Sequence, residues 1–152
     1  TINKKLKEGI YVVIILSYVC IKYWNLENEI SEIFSLNQII PSAGQGIIAL
    51  QCRESDDKII SILKKINHNE THKRAYAERN ILKILEGDCD TAIGAHSKIE
   101  GDLITLEAEL FSLDGFQRFY EKKTSKVDKF KELGIEVCDI LKTKSNNSYK
   151  KK

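Results

Sequence analysis

Cys89 is the residue of this sequence whose surroundings best suit covalent chemistry. It stands in the stretch Ala77 to Gly94, AERNILKILEGDCDTAIG, between a predicted helix and a predicted strand. Apolar residues near helical spacing end at Leu85, and Gly87 follows where a helix end needs a residue that tolerates positive φ. A thiol on a short segment between two ordered elements is held in place and can face a cleft, so it can be an attachment point. A lone cysteine is more often a small buried hydrophobe, so local sequence alone leaves both interpretations open.

The other candidate ligands do not build a metal site or a disulfide framework. His68 and His72 stand four residues apart and can share a helix face, as metal ligands do, but no third ligand follows at a recognisable spacing. No metal is therefore expected. The cysteines are scattered, contain no CxxC pair and favour a reducing compartment: Cys20, Cys52, Cys89 and Cys138.

Bulk composition indicates an ordinary globular chain of about one domain. It has 152 residues, of which 42% are apolar and 30% charged, with a net charge of +2. That charge is too small to indicate a nucleic-acid partner, and the apolar run 10–21 is too short to span a membrane. The basic tail 143–152 is almost free of apolar residues and is predicted to be disordered. Because the sequence begins with Thr1 and contains no methionine, we interpret it as a fragment whose missing part lies upstream.

The first third of the sequence predicts short helices and strands. Residues 10–16 are predicted to form a buried strand that leads into a helix. Residues 26–34 carry apolar side chains on one helical face and are predicted to form a short amphipathic helix. The turn 41–46 is followed by a predicted strand over 47–52.

The remainder predicts an α+β domain with a three-stranded antiparallel sheet and helices on one face. A helix is expected over 57–66, and a second from a cap at Asn69 or Thr71 to about Leu85. Strands are expected over 91–98, 103–111 and 116–123, with turns at 100–102 and 114–115, before a final amphipathic helix over 127–141. Strands followed by helices in this order are typical of an α+β fold.

Three blocks resemble the hydroxymethylbilane synthase family, also called porphobilinogen deaminase. They are Leu85–Cys89 with Ile93–Ala95, Ala77–Arg79, and Pro41–Gly46, in the family's order and spacing. The resemblance runs from about Tyr11 to about Leu141. It implies a transferase of heme biosynthesis that joins four porphobilinogen molecules into hydroxymethylbilane with release of ammonia.

The resemblance also implies the site and the domain plan. Cys89 matches the cysteine that holds the dipyrromethane cofactor through a thioether, and Gln45 matches a glutamine at the active-site cleft, where it would contact substrate. The α+β domain would be preceded by remnants of the α/β first and second domains of a three-domain enzyme. The expected division is 1–40 for the end of the second domain, 41–54 for the hinge loop and returning strand, 55–142 for the cofactor-anchoring domain, and 143–152 for the tail.

Further expectations follow from the same resemblance. The substrate is porphobilinogen, and the protein is expected to be a monomer in the cytoplasm or a plastid, with no nucleic-acid or membrane partner. The family's catalytic aspartate and most of its arginines belong to the missing part, so no catalytic residue is expected here, and this chain is expected to be inactive alone.

Two positions depart from the family pattern. Tyr23 replaces an arginine that contacts substrate carboxylates, and a tyrosine cannot form the bidentate charged fork of an arginine. Asp88 replaces the glycine that normally precedes the cysteine. These departures leave open an alternative, a non-catalytic tetrapyrrole-binding or decayed homologue. A secreted or membrane-tethered small domain, suggested by basic residues before the apolar run, is a third hypothesis.

Overall fold

The protein is seen in a computed structural model that describes residues 2–86 and 91–150. It divides into two compact units, one up to Phe34 and one from Ser35 onward. The second unit includes Gln45 and both elements that flank Cys89. The expected boundaries at 40, 54 and 142 stay predictions.

The first unit consists of short helices joined by irregular chain. Helix α1 covers Ile2–Lys7, and helix α2 covers Tyr18–Tyr23, which confirms the helix expected after residues 10–16. The strand predicted over 10–16 is wrong, since these residues form no strand and Val12 is 99% exposed. A strand needs a neighbour to satisfy its backbone hydrogen bonds, and the described part of this unit contains none.

The helix predicted over 26–34 is also wrong. It is reduced to a 3-10 turn at Glu27–Glu29, and Ile30 is already extended, with φ −76° and ψ 122°. Ile33 is 65% exposed, so the apolar face that the pattern suggested has no packing partner within the unit. Short helices without a packed face are marginal in water.

The second unit is built on an antiparallel sheet, as predicted. Among the described residues its strands are β1 (Ile93–Glu100), β2 (Leu103–Phe111) and β3 (Arg118–Lys126), in the spatial order β1-β2-β3. The β1–β2 turn contains Gly101 with φ +59°, and the β2–β3 turn contains Gly115 with φ +75°. Both backbone conformations favour glycine over residues with a Cβ.

Two helices, α4 (Asn69–Leu85) and α5 (Phe130–Ser145), cover one face of this sheet and form the core with it. Helix α3 (Asp57–Ile66) precedes them and contains no buried residue. Every second residue of β2 is fully buried, as the alternating pattern predicted. The main members of the core are Ile81, Leu85, Ile104, Leu106, Leu110, Leu133, Val137 and Leu141.

The ends of α4 are formed by residues other than those predicted. His68 precedes the helix and its ring Nδ1 accepts a hydrogen bond from the Thr71 amide at 3.3 Å, so neither Thr71 nor Asn69 is the cap. At the other end Glu86 takes the left-handed conformation, with φ +53°. Gly87, the predicted terminator, lies outside the described residues.

The stretch 47–52 is not a strand, and the prediction is wrong. Ile48 is 87% exposed and Leu50 is 60% exposed, and the stretch pairs with none of the described strands. The β-branched composition suits a strand, but composition does not supply a partner.

The end of the chain differs from the disordered tail that was predicted. Helix α5 continues to Ser145, and the next residues form turns in which Tyr149 is buried in the core. The Leu113 amide donates to the Ser148 carbonyl at 2.9 Å. The single aromatic of the tail thus anchors residues that are otherwise polar.

Candidate functional site

Cys89 and its neighbours Gly87, Asp88 and Asp90 lie outside the described residues. The elements on either side are described: α4 ends at Leu85, whose side chain is fully buried, and β1 begins at Ile93. The cysteine therefore belongs to a short connection between a core helix and a core strand, as the sequence predicted. Its geometry and its bond to a cofactor stay predictions.

Gln45 lies on a tight double turn whose backbone is fixed. The Gln45 amide donates to the Ser42 carbonyl at 3.0 Å, and the Ile47 amide donates to the Gly44 carbonyl at 3.1 Å. Gly44 and Gly46 have φ of +76° and +79°, which only glycine adopts at little cost. The Gln45 side chain is exposed, and its amide can both donate and accept hydrogen bonds.

Glu78 of α4 connects this turn to the sheet. Its side chain is 3% exposed, and its Oε2 accepts a hydrogen bond from the Gly44 amide at 2.8 Å. Its Oε1 accepts two further bonds, from the Ser97 amide and the Ser97 hydroxyl, each at 2.8 Å. Arg74 supports the same strand by donating from Nε to the Ser97 carbonyl at 2.7 Å. These three hydrogen bonds offset part of the cost of burying the carboxylate.

Glu109 of β2 holds the chain just before the turn. Its Oε1 accepts from the Ile40 amide at 3.2 Å, while its Oε2 accepts from Arg118 Nε at 2.7 Å. The Ala95 amide, on the free edge of β1, donates to the Pro41 carbonyl at 2.9 Å. We call residues 40–46 the Gln45 segment. Three of its first five residues, Ile40, Pro41 and Gly44, form hydrogen bonds with two strands and one helix.

Gly94 allows the Gln45 segment to approach β1 closely. A Cβ at this position would lie 2.5 Å from the Ile40 carbonyl oxygen, far inside normal contact. The resemblance included this glycine without giving a reason for it. The structure gives one, because the backbone of Ile40 passes directly over it.

Burial also affects His96 on β1. Its pKa is lowered from the usual value, mainly because burial disfavours the charged ring, while the nearby Glu78 carboxylate acts in the opposite direction.

Glu78 belongs to the block Ala77–Arg79 that carries the resemblance, but its role was not predicted from the sequence. Glu78 stands three residues before Ile81 and seven before Leu85, so it shares their buried face on α4. A carboxylate on an apolar helix face is the signal that was available, since such a group needs partners inside the protein. The partners themselves are 19 and 34 residues away, and no local pattern identifies them.

Tyr23 is exposed, and the two histidines make contacts at the start of helix α4. Tyr23 is the last residue of α2 and is 83% exposed. His68 caps α4, and the His72 ring lies against Tyr76, with 6.0 Å between ring centroids. Within residues 2–86 and 91–150, no group of three His, Cys, Asp or Glu side chains is placed to hold a metal. In the same residues, no helix has both the length and the apolar character needed to cross a membrane.

We predict that Cys138 is nearly inert toward alkylation. Cys138 is fully buried in α5, and burial raises the pKa of its thiol to about 11. Cys20 is exposed on α2. Because the thiolate is the nucleophile, an iodoacetamide time course at pH 8 followed by peptide masses should show Cys138 reacting at least about 100-fold more slowly than Cys20.

Unfolding the chain in guanidinium provides the control, since both cysteines should then react at similar rates. Equal rates in the native protein would contradict the burial of Cys138 between α4 and α5. The expected result would leave Cys138 unsuited to hold a cofactor.

Comparisons with known proteins agree on one family. A model described as "Porphobilinogen deaminase, dipyromethane cofactor binding domain" matches residues 2–61, and one described as "Porphobilinogen deaminase, C-terminal domain" matches residues 72–143. A curated porphobilinogen deaminase of Desulforamulus reducens is 40% identical over 128 residues. These residues cover 84% of this chain and 41% of the relative, so the chain spans about two fifths of its length. Gln45 falls in the first matched stretch and Cys89 in the second.

Proposed function

This chain belongs to the porphobilinogen deaminase family, and we propose that it carries the cofactor anchor of a hydroxymethylbilane synthase. Members of the family are transferases of porphyrin and heme biosynthesis. The proposed reaction joins four porphobilinogen molecules head to tail, and each new carbon–carbon bond is accompanied by release of ammonia. The observation that carries the proposal is the position of Cys89, between α4 and β1 in the stretch matched by the C-terminal domain model.

The chemistry of the cysteines supports Cys89 as the residue that holds dipyrromethane. Cys138 is enclosed in the core, Cys20 lies within helix α2 in the other unit, and Cys52 is half-buried in the irregular stretch 47–52. A cysteine sulfur forms a stable carbon–sulfur bond, which a permanent anchor needs. When bound, dipyrromethane supplies the terminal pyrrole carbon to which substrate is joined.

Two other features of this chain support the proposed function. The exposed Gln45 amide can hydrogen-bond to substrate, and the folded core fixes the two ends of the loop that contains Cys89. We assign no catalytic group within this chain, and we expect it to be inactive by itself. The reaction also needs cationic groups that hold the carboxylates of the pyrroles. It further needs a carboxylate that stabilises the cationic intermediates.

The test is the mass of the peptide that contains Cys89, taken from the complete gene product purified from its own cells. A mass increase equal to two linked pyrroles on Cys89 supports the proposal. An unmodified Cys89 contradicts it when a related deaminase, purified in parallel, carries the group. That outcome would favour the decayed binding protein, for which Tyr23 and Asp88 are the observed departures.

Asp88→Gly should speed cofactor attachment. Asp88 directly precedes Cys89 and follows the C-terminus of α4, so its charge and the helix dipole both disfavour the thiolate. Effects of this kind correspond to a rate about two- to fivefold higher in the variant. The measurement is the time course of mass gain when apoprotein of the complete gene product is incubated with porphobilinogen.

Asp88→Asn is the matched control, because it removes the charge without adding glycine's backbone freedom. Attachment as fast as in Asp88→Gly would identify charge as the cause. Equal rates in the wild type and both variants would refute the prediction.

A further inference from the structure

We propose that Glu78 is a positioning residue that fixes Gln45 relative to helix α4 and strand β1, the two elements that flank Cys89 in the sequence. This inference rests on the proposed function, because it takes Gln45 to contact substrate. Its basis is the pair of oxygens on Glu78, which bind different elements. Oε1 accepts both bonds from Ser97 on β1, and Oε2 accepts the bond from Gly44.

The elements that Glu78 joins are the two that determine where the cysteine loop starts and ends. Glu78 itself lies on α4, which leads into the loop, and Ser97 lies on β1, which follows it. Gly44 directly precedes Gln45. A single buried side chain therefore ties the position of Gln45 to both ends of the cysteine loop.

Packing alone does not require a carboxylate here. The same face of α4 is otherwise filled by Ala77, Ile81 and Leu85, and an apolar residue could occupy the site without the cost of burying a charge. Only a side chain with two acceptor oxygens can accept hydrogen bonds from the strand and from the turn at the same time. We therefore infer that the carboxylate of Glu78 is needed to orient the Gln45 segment.

A second set of contacts restricts the other end of the Gln45 segment. Ile40 donates to Glu109, Pro41 accepts from Ala95, and Gly94 leaves space for the Ile40 backbone. Residues 40–44 are thus held at both ends, and Gln45 follows directly. Gln45 therefore moves with α4 and β1, and not independently as part of a loose hinge.

The first test measures amide hydrogen exchange in the 152-residue chain with Glu78→Gln. A glutamine has one acceptor oxygen, and we expect it to stay with Ser97, where it keeps the two bonds that Oε1 accepts now. The NH₂ group then faces the Gly44 amide, and the bond from Gly44 is lost. We expect exchange at Gly44 and Gln45 to become at least about tenfold faster, as loss of a charged hydrogen bond implies. The amides of β2 should keep their protection.

Two further variants make this result specific. Glu70→Gln makes the same chemical change at an exposed position of α4 and should leave exchange at Gly44 unchanged. Gly94→Ala displaces the Ile40 backbone while keeping Glu78, and it should loosen the same segment from its other end. Unchanged exchange at Gly44 in Glu78→Gln, or equal acceleration throughout β2, would overturn the proposal.

The second test asks whether Glu78 acts through Gln45. In the complete gene product, Glu78→Gln should change kcat and KM in the same proportions as Gln45→Ala. The double variant should lose activity by no more than about twofold beyond Gln45→Ala alone, because residues that act as one unit are not additive. Fully additive losses, or an unaffected Gln45→Ala, would overturn the proposal. Absence of cofactor mass on wild-type Cys89 would reject the proposed function instead, and the exchange experiment would still report on the contacts of Glu78.

Discussion

Cys89→Ser should give a folded protein that carries no cofactor mass. A serine hydroxyl is a far weaker nucleophile than a thiolate at neutral pH, so the carbon–sulfur bond has no equivalent in the variant. The fold should persist, since α4, α5 and the sheet supply the core of the described residues and the substitution removes no apolar group from them. The measurement is the intact mass of the complete gene product after incubation with porphobilinogen, together with its thermal unfolding midpoint. We expect complete loss of the mass increment and a midpoint close to that of the wild-type apoprotein.

Cys20→Ser is the matched control for this experiment. It makes the same atomic change at an exposed residue of α2, and it should retain the full mass increment. A Cys89→Ser protein that still carries two pyrroles would show that another cysteine is the anchor. An unfolded variant would show that residue 89 has a structural role in addition to its chemistry.

The parts of the fold that were predictable are those specified by local patterns. Helix α3 was predicted over 57–66 and β2 over 103–111, and the structure has the same bounds. In α3 a helical apolar spacing follows an aspartate, and the Asp56 carboxylate indeed accepts from the Ile59 amide at 3.2 Å. In β2, strict alternation placed one set of side chains in the core. Each of these signals is contained within about ten residues.

The predictions that were wrong share a physical cause: the structure of these stretches depends on partners that are distant in the sequence. The stretches 10–16 and 47–52 have strand-like composition, yet a strand exists only when another strand accepts its hydrogen bonds. Tyr149 was assigned to a disordered tail because its neighbours are polar, although one buried aromatic is enough to hold them. The contacts of Glu78 are of the same kind. The sequence supplied the carboxylate, but its partners are brought together only by the folded chain.

Gly134→Ala should destabilise the protein, although helix propensity alone predicts the opposite. Gly134 is buried in α5 where this helix crosses α4. A Cβ there would lie 2.5 Å from the Ala77 carbonyl oxygen and 2.9 Å from the Asn80 Cβ. Replacing a helical glycine by alanine contributes about 1 kcal/mol through propensity. Overpacking of a core contact costs about 1–3 kcal/mol and more where backbone must move, as it must here.

We therefore expect a net loss of about 1–2 kcal/mol in the free energy of unfolding, measured by urea titration of the 152-residue chain. Ile135→Ala is the control: it is the neighbouring residue on the exposed side of α5 and should change the free energy by about 0.5 kcal/mol or less. An increase in stability for Gly134→Ala would mean that the helices separate without cost and that the crossing is looser than described. The expected loss would show that the Ala77 backbone cannot move aside to accommodate the new Cβ. Ala77 is the residue next to Glu78. The helix crossing that forms the core would then also set the position of the carboxylate that holds the Gln45 segment.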